Sequence, residues 1–291
     1  MNADSSFIIG ATYAVCQDYA VAGNGLPTHQ ARDANSLAAP YLILSDGCSS
    51  SPDTDIGARL LVKAAEQILL VYRPLASELA EMHKESSRRA LTWAGLAGLS
   101  PQVVDATLLT AHVRDDELIL GCSGDAVIIL HSWAGALDVY DISYPSGYPL
   151  YPGYSHQPER LLASTVNGRV SKEVKRLRCA SAAEPLQLEE TTISVSLTEV
   201  FTVKVCDYKH AVLLSDGIHS FFTTRQTETS KMVEGIPMDQ ILKELASFKT
   251  VRGAFAGRRL KSFLKGCQSR GWQHRDDLSI GALHLGDSSG D

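Results

Sequence analysis

The chain has 291 residues, of which 44% are hydrophobic and 21% are charged, a composition typical of a globular protein. Its 33 acidic and 27 basic residues give a formal net charge of −6, which argues against a general nucleic-acid-binding protein but leaves room for a local basic patch. No apolar run approaches the roughly 18 residues of a membrane-spanning helix, and the N-terminal residues lack the features of a signal peptide. We therefore predict a cytoplasmic protein that binds neither nucleic acid nor membranes.

The first third of the chain predicts short strands followed by a pair of helices. Residues 7–15 and 41–45 are apolar and β-prone, which indicates strands. Apolar residues recur at helical spacing from Ile56 to Tyr72. A second helix is predicted for about residues 75–96, with a charged face opposite its apolar one.

The middle of the chain predicts a β-meander. Residues 106–113, 117–123, 126–133 and 137–143 are short apolar or alternating segments separated by turn residues. The next stretch, 144–198, is rich in proline and glycine near its start. We expect it to be a flap-like excursion with little regular structure, and long excursions of this kind are often functional.

The last third alternates strands and helices. Residues 200–207 and 210–216 predict a hairpin, and residues 237–248 and 254–271 are helical by their periodicity. Residues 277–285 predict a closing strand. Together with the first two thirds, these elements indicate a mixed α+β domain.

Five aspartates stand at the ends of predicted strands. Asp46 and Asp216 end the near-identical segments LILSDG and VLLSDG, and Asp18, Asp125 and Asp276 lie beside other apolar runs. An Asp-Gly after a strand is more often a turn than a functional site, so weight comes only from the ordered set. If the strands are neighbours, their carboxylates converge at one sheet edge, raise each other's pKa and favour a hard cation such as Mg²⁺ or Mn²⁺.

These motifs, in the order QD, SDG, ATL with SGD, LLSDG and DDLS, resemble the metal-dependent protein phosphatases of type 2C, above all the compact bacterial members. The resemblance extends over about residues 8–285. It implies an α+β fold, a four-layer α/β/β/α sandwich with two central antiparallel sheets flanked by helix pairs. It also implies a single domain over 1–291, with a flap at 144–198 and a disordered tail at 286–291.

The resemblance implies a centre with two Mg²⁺ or Mn²⁺ ions. Asp46 is expected to bridge both ions, and the carbonyl oxygen of Gly47 to bind one of them. Asp216 and Asp276 are expected to complete the ligands of one ion, while Asp18 reaches the other side of the centre, partly through water. These four aspartates are the predicted catalytic residues.

Other motif residues have supporting roles by the same resemblance. Asp125 matches an aspartate that helps to hold a third, weaker ion. Asp277 occupies a position that is often asparagine, next to the ligand Asp276, and is expected to support the centre without binding metal. Ala106 and Thr107 match a small-residue strand that packs under the site.

Three departures from the family pattern concern the same centre. Gln17 replaces an acidic residue, which removes one negative charge near the metals. Tyr13 stands where many members have a phosphate-binding arginine, and Arg32 and His29 are weak candidates to replace it. Cys48 stands where some members have a histidine that acts as general acid.

Two further features have a plain and a functional interpretation. His219 follows the second SDG motif, and we favour a packing role at the start of a helix over a role as general acid. Arg258, Arg259, Lys261 and Lys265 fall on one predicted helix; we favour a solvated face over a docking patch for acidic or phosphorylated partners.

The predicted function is hydrolysis of phosphoserine and phosphothreonine in proteins by a water that bridges two divalent cations, opposing a serine/threonine kinase. Two alternatives stay open. Gln17 and the absent arginine are compatible with a catalytically weak or inactive regulatory module that keeps the fold. A phosphatase of a small phosphorylated molecule has the same sequence features.

Overall fold

The computed structural model describes residues 1–24, 39–164, 171–181, 183–226 and 231–286. Within these ranges, fifteen strands and five α-helices form two large sheets, a small sheet and an outer layer of helices on each side. No helix in the same ranges is long and apolar enough to cross a membrane. The predicted candidates Arg32 and His29, and residues 287–291 of the predicted tail, lie outside the described residues.

One large sheet has seven antiparallel strands. In spatial order they are β1 (Asn2–Ile8), β15 (Leu278–His284), β11 (Tyr208–Leu214), β6 (Ala126–Ser132), β7 (Leu137–Ser143), β8 (Lys172–Cys179) and β9 (Gln187–Ser194). The first and last thirds of the chain therefore meet in this sheet, with β1 beside β15.

The other large sheet has five antiparallel strands. In spatial order they are β10 (Thr198–Lys204), β5 (Glu117–Ser123), β4 (Leu108–Arg114), β3 (Pro40–Ser45) and β2 (Tyr19–Asn24). A three-stranded sheet at the periphery has the order β13 (Lys231–Gly235), β12 (Phe221–Gln226) and β14 (Trp272–His274).

The two large sheets pack face to face around a buried apolar layer. In β6, Ile128 and Leu130 point into the space between the sheets, whereas Val127 and Ile129 pack on the opposite side, against helices. Successive side chains of a strand point to opposite faces, so a strand covered on both faces needs apolar residues throughout. This is why the central strands are continuous apolar runs in the sequence.

A pair of helices covers the outer face of each large sheet. The helices α1 (Thr54–Val71) and α2 (Leu79–Leu96) pack on the five-stranded sheet, and α4 (Met238–Leu245) and α5 (Phe255–Arg270) pack on the seven-stranded sheet. The short α3 (Pro158–Ser164) lies outside these layers. The predicted fold class, a four-layer sandwich, is confirmed.

Two predicted pairings are wrong because the chain crosses between sheets. The four strands predicted as one meander are divided, with β4 and β5 in one sheet and β6 and β7 in the other. The predicted hairpin is also divided, since β10 and β11 belong to different sheets. Turn residues mark where a strand ends, but they do not show whether the next strand returns beside it.

Two predicted segments also differ from the structure. The prediction of little regular structure over 144–198 is wrong, because β8 and β9 extend the seven-stranded sheet there. Most side chains of β9 are exposed, so its sequence carries no apolar pattern. The predicted strand 7–15 is misplaced: β1 covers Asn2–Ile8 and is fixed by pairing with β15, although its own residues are mostly polar.

Candidate active site

Five aspartates from separate segments meet at one end of the sandwich. Asp46 and Asp216 follow β3 and β11, which lie in different sheets and face each other across the apolar core. The two carboxylates converge across the space between the sheets, and not along one sheet edge as neighbouring strands would place them. Asp18 precedes β2, Asp125 lies in the crossover from β5 to β6, and Asp276 precedes β15.

Asp18 is the deepest member of this group, with 1% of its surface exposed. The hydroxyl of Ser215 donates a 2.7 Å hydrogen bond to its Oδ2 atom, which links the first motif to the end of β11. Its Oδ1 atom is buried and has no hydrogen-bond partner. Burial, followed by the charge of Asp216, raises the pKa of Asp18 to about 7 although hydrogen bonds favour the charged form.

The backbone around Asp46 is held by two reciprocal hydrogen bonds to one residue. The Asp46 amide donates to the hydroxyl oxygen of Thr107 at 2.9 Å, and its carbonyl accepts from the Thr107 amide at 2.8 Å. Burial and the charges of Asp18 and Asp216 raise the pKa of Asp46 well above its usual range. Gly47 is required beside it, because an added Cβ would lie 2.8 Å from the carbonyl oxygen of Thr54.

Asp125 and Asp276 approach the centre from the seven-stranded sheet. Burial, followed by repulsion from Asp216, raises the pKa of Asp125 to about 7. The same two causes, in the same order, raise the pKa of Asp276 to about 6. Repulsion from Asp216 therefore contributes to both shifts, as expected of carboxylates that converge.

The carboxylate group fits divalent cations. None of the five aspartates forms an ion pair with a basic side chain in the described part of the chain, so their negative charge is uncompensated. The orphaned Oδ1 of Asp18 adds a buried acceptor, and donors that are all oxygen suit Mg²⁺ or Mn²⁺. No three acidic, His or Cys side chains of these ranges stand in metal-binding geometry.

Asp277 organises the loop that delivers Asp18. Its Oδ1 atom accepts a 2.6 Å hydrogen bond from the Gly10 amide, and its Oδ2 atom accepts a 2.5 Å hydrogen bond from the Gln17 amide. Asp277 is 1% exposed, and both of its carboxylate oxygens are engaged by this backbone. Asp277 therefore fixes the backbone of this loop, and its supporting role beside a metal centre stays a prediction.

A cavity of about 340 Å³ opens above the aspartates. Its floor includes Asp46, Asp125, Asp216 and Asp276, and part of its wall comes from aromatic residues of the segment before α3. Arg160, on α3, is the only cationic side chain that lines the cavity within the described ranges.

The sequence prediction missed Arg160. Its guanidinium donates two hydrogen bonds to the buried carboxylate of Asp105, at 2.6 and 2.7 Å, and stacks over the ring of Tyr154. The Ser51 hydroxyl donates to the same carboxylate at 2.6 Å. No pattern around Arg160 marks it in the sequence, because the contact joins residues 55 positions apart.

The three departures from the family pattern each have a contact in the structure. The Gln17 side chain donates a 2.9 Å hydrogen bond to the Thr54 hydroxyl at the start of α1. A hydrogen bond with Ser49 lowers the pKa of Tyr13, but burial and the adjacent Asp276 outweigh it, so the pKa is raised. Burial acts to raise the pKa of Cys48, yet hydrogen bonds outweigh it and lower this pKa.

His219 lies beside the aspartates. Its Nε2 atom is 3.2 Å from Oδ1 of Asp141 in β7. Burial acts to lower the pKa of His219, but the hydrogen bond with Asp141 and the charges of Asp141, Asp216 and Asp125 outweigh it and raise the pKa. This contact connects the turn after Asp216 to the sheet.

The sequence model of the family described as protein phosphatase 2C matches residues 12–265. This match covers most of the chain and four of the five clustered aspartates. The chain belongs to the protein phosphatase 2C family. Membership confirms the predicted family and the predicted enzyme class, a protein phosphatase. No curated protein sequence matches the chain.

Solved structures of bacterial phosphatases share the protein phosphatase 2C fold of this chain. Stp1, a serine/threonine phosphatase from Staphylococcus aureus, is 10% identical with a TM-score of 0.53, over 99% of this chain and 96% of that one. A serine/threonine phosphatase of S. agalactiae is 15% identical with a TM-score of 0.53, over 98% and 99%. PstP/Ppp from Mycobacterium tuberculosis is 14% identical with a TM-score of 0.52, over 98% of both chains. At these identities the likeness establishes the fold alone.

Proposed function

We propose that this protein phosphatase 2C member hydrolyses phosphoserine and phosphothreonine in proteins with the help of divalent cations. The observation that carries the proposal is the convergence of five aspartates beneath one open cavity, with no cationic partner for any of them in the described ranges. Membership of a protein phosphatase family supports a phosphorylated protein as substrate, and so a kinase as the opposing activity.

We assign the metal-binding groups as follows. The Asp46 carboxylate would be shared by two Mg²⁺ or Mn²⁺ ions, and the Gly47 carbonyl would add a ligand. Asp216 and Asp276 would hold one ion, and Asp18 would hold the other side of the centre. When bound, the cations supply an activated water and neutralise charge on the phosphoryl oxygens.

Asp125 is the candidate for an additional, weaker ion. It lies in a crossover loop and is reached from the cavity, whereas Asp18 is enclosed. An ion held mainly by a single carboxylate is bound less firmly than ions shared by several carboxylates, because water fills its remaining ligand positions. Two firmly held ions and one exchangeable ion are therefore expected.

The surrounding residues fix the geometry that the reaction needs. Thr107 holds the backbone of Asp46, Ser215 orients Asp18, and Asp277 fixes the loop before Asp18. These contacts prevent the carboxylates from moving apart when their charges repel, so the site is organised before substrate binds. Arg160 is the only cationic side chain at the described cavity wall, and its ion pair holds the buried carboxylate of Asp105 in place beside the cavity.

The proposal is tested by phosphate release from a panel of substrates. Phosphoserine and phosphothreonine peptides are compared with phosphotyrosine peptides and small phosphate esters, each with Mn²⁺, Mg²⁺ or EDTA. We expect metal-dependent turnover of the first two peptide classes with kcat/KM at least about tenfold above that of the small esters. Preference for a small ester would favour a small-molecule phosphatase, and no turnover with any metal would favour a regulatory module.

A further inference from the structure

The positive charge of this acidic protein is concentrated in one segment. Residues 245–275 contain eight lysines and arginines and no aspartate or glutamate. The rest of the chain holds 19 basic residues against all 33 acidic ones. A segment of 31 residues with this imbalance departs strongly from the mixed charges of an ordinary protein surface.

Helix α5 displays much of this charge to solvent. Arg258, Lys261 and Lys265 are exposed and are spaced by three and four residues, so they lie on one side of the helix. None of the three forms an ion pair with a carboxylate among the described residues. In contrast, Arg259 and Arg270 both approach Glu244, which compensates part of the charge on the neighbouring side of the helix.

A pocket of about 220 Å³ lies at the N-terminal end of α5. Phe248 and Phe255 stack edge to face at 5.3 Å and form an apolar wall, and Lys249 and Arg258 bring positive charge to the same pocket. The pocket therefore combines an apolar surface with cations, which suits a peptide side chain that carries an anionic group.

The Arg258 guanidinium is held in place before any ligand arrives. It donates hydrogen bonds to the Thr250 hydroxyl at 2.9 Å and to the Arg252 carbonyl at 2.6 Å. Both acceptors are uncharged, so the positive charge remains available to an anion. A fixed guanidinium loses less conformational entropy on binding than a freely moving one.

We propose that this pocket and the exposed cations of α5, together the basic docking face, bind an acidic segment of the phosphoprotein substrate. That the bound segment belongs to a phosphoprotein substrate rests on the proposed function, whereas the binding of an acidic peptide does not. A short acidic peptide matches the size of the face. A long polyanion such as nucleic acid would extend over the acidic remainder of the molecule and be repelled there.

The position of α5 predicts where the acidic segment lies in the substrate. The helix begins at the pocket and ends at Arg270, six residues before Asp276 of the active site. Its 16 residues span about 24 Å, which an extended peptide covers with roughly seven to eight residues. We expect the acidic residues to stand roughly ten residues away from the phosphorylated one.

Binding is tested without catalysis, by fluorescence anisotropy in EDTA with the full chain. The probe is a labelled unphosphorylated peptide with six consecutive glutamates, and its counterpart has six glutamines. The variant Arg258→Gln/Lys261→Gln/Lys265→Gln is compared with a matched control, Lys63→Gln/Lys84→Gln/Arg88→Gln, which removes three exposed cations from α1 and α2.

We expect the wild type and the control to bind the glutamate peptide, and the α5 variant to bind it about tenfold more weakly, with little binding of the glutamine peptide. Equal affinity of the α5 variant and the wild type would overturn the proposal, as would an equal loss in the control. Loss of binding to anionic phospholipid vesicles in the α5 variant, with unchanged peptide binding, would assign the face to membranes instead.

A catalytic arm separates this proposal from the proposed function. A short phosphothreonine peptide is compared with the same peptide extended by glutamates roughly ten residues away. The extension should lower KM in the wild type and the control but not in the α5 variant, and kcat on the short peptide should be equal in all three. If the wild type fails to hydrolyse the short peptide, the proposed function fails. The anisotropy result alone then decides whether the basic docking face binds acidic peptides.

Discussion

At the scale of single residues, Asp277 shows how a carboxylate next to a proposed metal-binding residue can act on the backbone. Its two oxygens accept hydrogen bonds from the amides of Gly10 and Gln17, and so fix the segment that leads to Asp18. An asparagine offers only one acceptor oxygen, and its NH₂ group would face a backbone donor.

We therefore expect Asp277→Asn to lower the affinity for Mn²⁺ by about 10-fold or more and to cost roughly 1–3 kcal/mol of stability. Isothermal titration with Mn²⁺ and urea unfolding measure the two effects. Asp207→Asn, at an exposed carboxylate near the other end of β11, is the control. Unchanged Mn²⁺ affinity in Asp277→Asn would show that the loop is positioned by other contacts.

Arg160 supports a second prediction at this scale. Asp105 is 1% exposed and depends on the bidentate contact with Arg160 for its charge compensation. Arg160→Gln should lower the free energy of unfolding by on the order of 2 kcal/mol and raise KM for a phosphopeptide. The double variant Asp105→Asn/Arg160→Gln should recover part of the stability, because no buried charge is then left unpaired. Additive losses in the double variant would contradict this coupling.

The sequence allowed the aspartates of the site to be predicted, but not the residues that support them. Asp18, Asp46, Asp125, Asp216 and Asp276 stand in short motifs with a fixed order, so each can be recognised locally. Their partners come from distant positions: Ser215 reaches Asp18 across 197 residues. Such contacts depend on how the sheets stack, and no local pattern encodes that stacking.

At the scale of elements, α1 sits unusually close to the turn of residues 101–104. A Cβ added at Gly57 would lie 1.6 Å from the carbonyl oxygen of Val103, whereas Gly95 in α2 has no atom within 4 Å of that position. Glycine lets α1 approach this turn, and α1 in turn carries Thr54, which contacts Gln17 beside the site.

Gly57→Ala should destabilise the protein by roughly 1–3 kcal/mol, because the helix must move away from the turn. Gly95→Ala should instead stabilise it by roughly 0.5–1 kcal/mol through helix propensity alone. Urea unfolding of both variants under one condition compares a glycine in close contact with a neighbouring backbone with a glycine that has no neighbour. A stabilising Gly57→Ala would show that the helix and the turn can separate freely.

Elements covered on both faces could be predicted closely, and exposed ones could not. β5 and β7 were placed at their observed residues, and α1 within two residues of its start, because their apolar patterns are strong. β9 is mostly exposed and β1 is mostly polar, so both depend on pairing with a neighbouring strand. The crossovers between sheets were missed because the strands on either side look alike in sequence.

At the scale of the whole molecule, buried neutral histidines tie stability to pH. His83 is fully enclosed between Ser123 and Thr110, each 2.8 Å from a ring nitrogen, and burial lowers its pKa to about 3. The unfolded chain takes up this proton near pH 6.5, whereas the folded chain does not until about pH 3. Its contribution is therefore present above pH 6.5 and is lost as the pH falls through this window.

We expect the stability of the wild type to fall, relative to His83→Gln, by about 1.4 kcal/mol per pH unit below pH 6.5. Urea unfolding of both proteins at pH 7.5, 6.5, 5.5 and 4.5 gives this difference. The clustered aspartates have raised pKa values and act in the opposite direction, but they are common to both proteins and cancel in the difference. If the free energies of unfolding of the two proteins ran parallel with pH, His83 would take up its proton in the folded protein at the same pH as in the unfolded chain.

The central claim is that aspartates brought together from the two sheets support metal-dependent phosphate release. The most direct measurement is hydrolysis of a phosphothreonine peptide with saturating Mn²⁺ by the wild type, Asp216→Ala and Asp207→Ala. Asp216 follows β11 at the candidate site, and Asp207 precedes the same strand at its other end. We predict that kcat falls by about 100-fold or more in Asp216→Ala and that Asp207→Ala keeps the wild-type rate. None of the three proteins should release phosphate in EDTA. Turnover by folded Asp216→Ala at the wild-type rate, or wild-type turnover that persists in EDTA, would contradict the account.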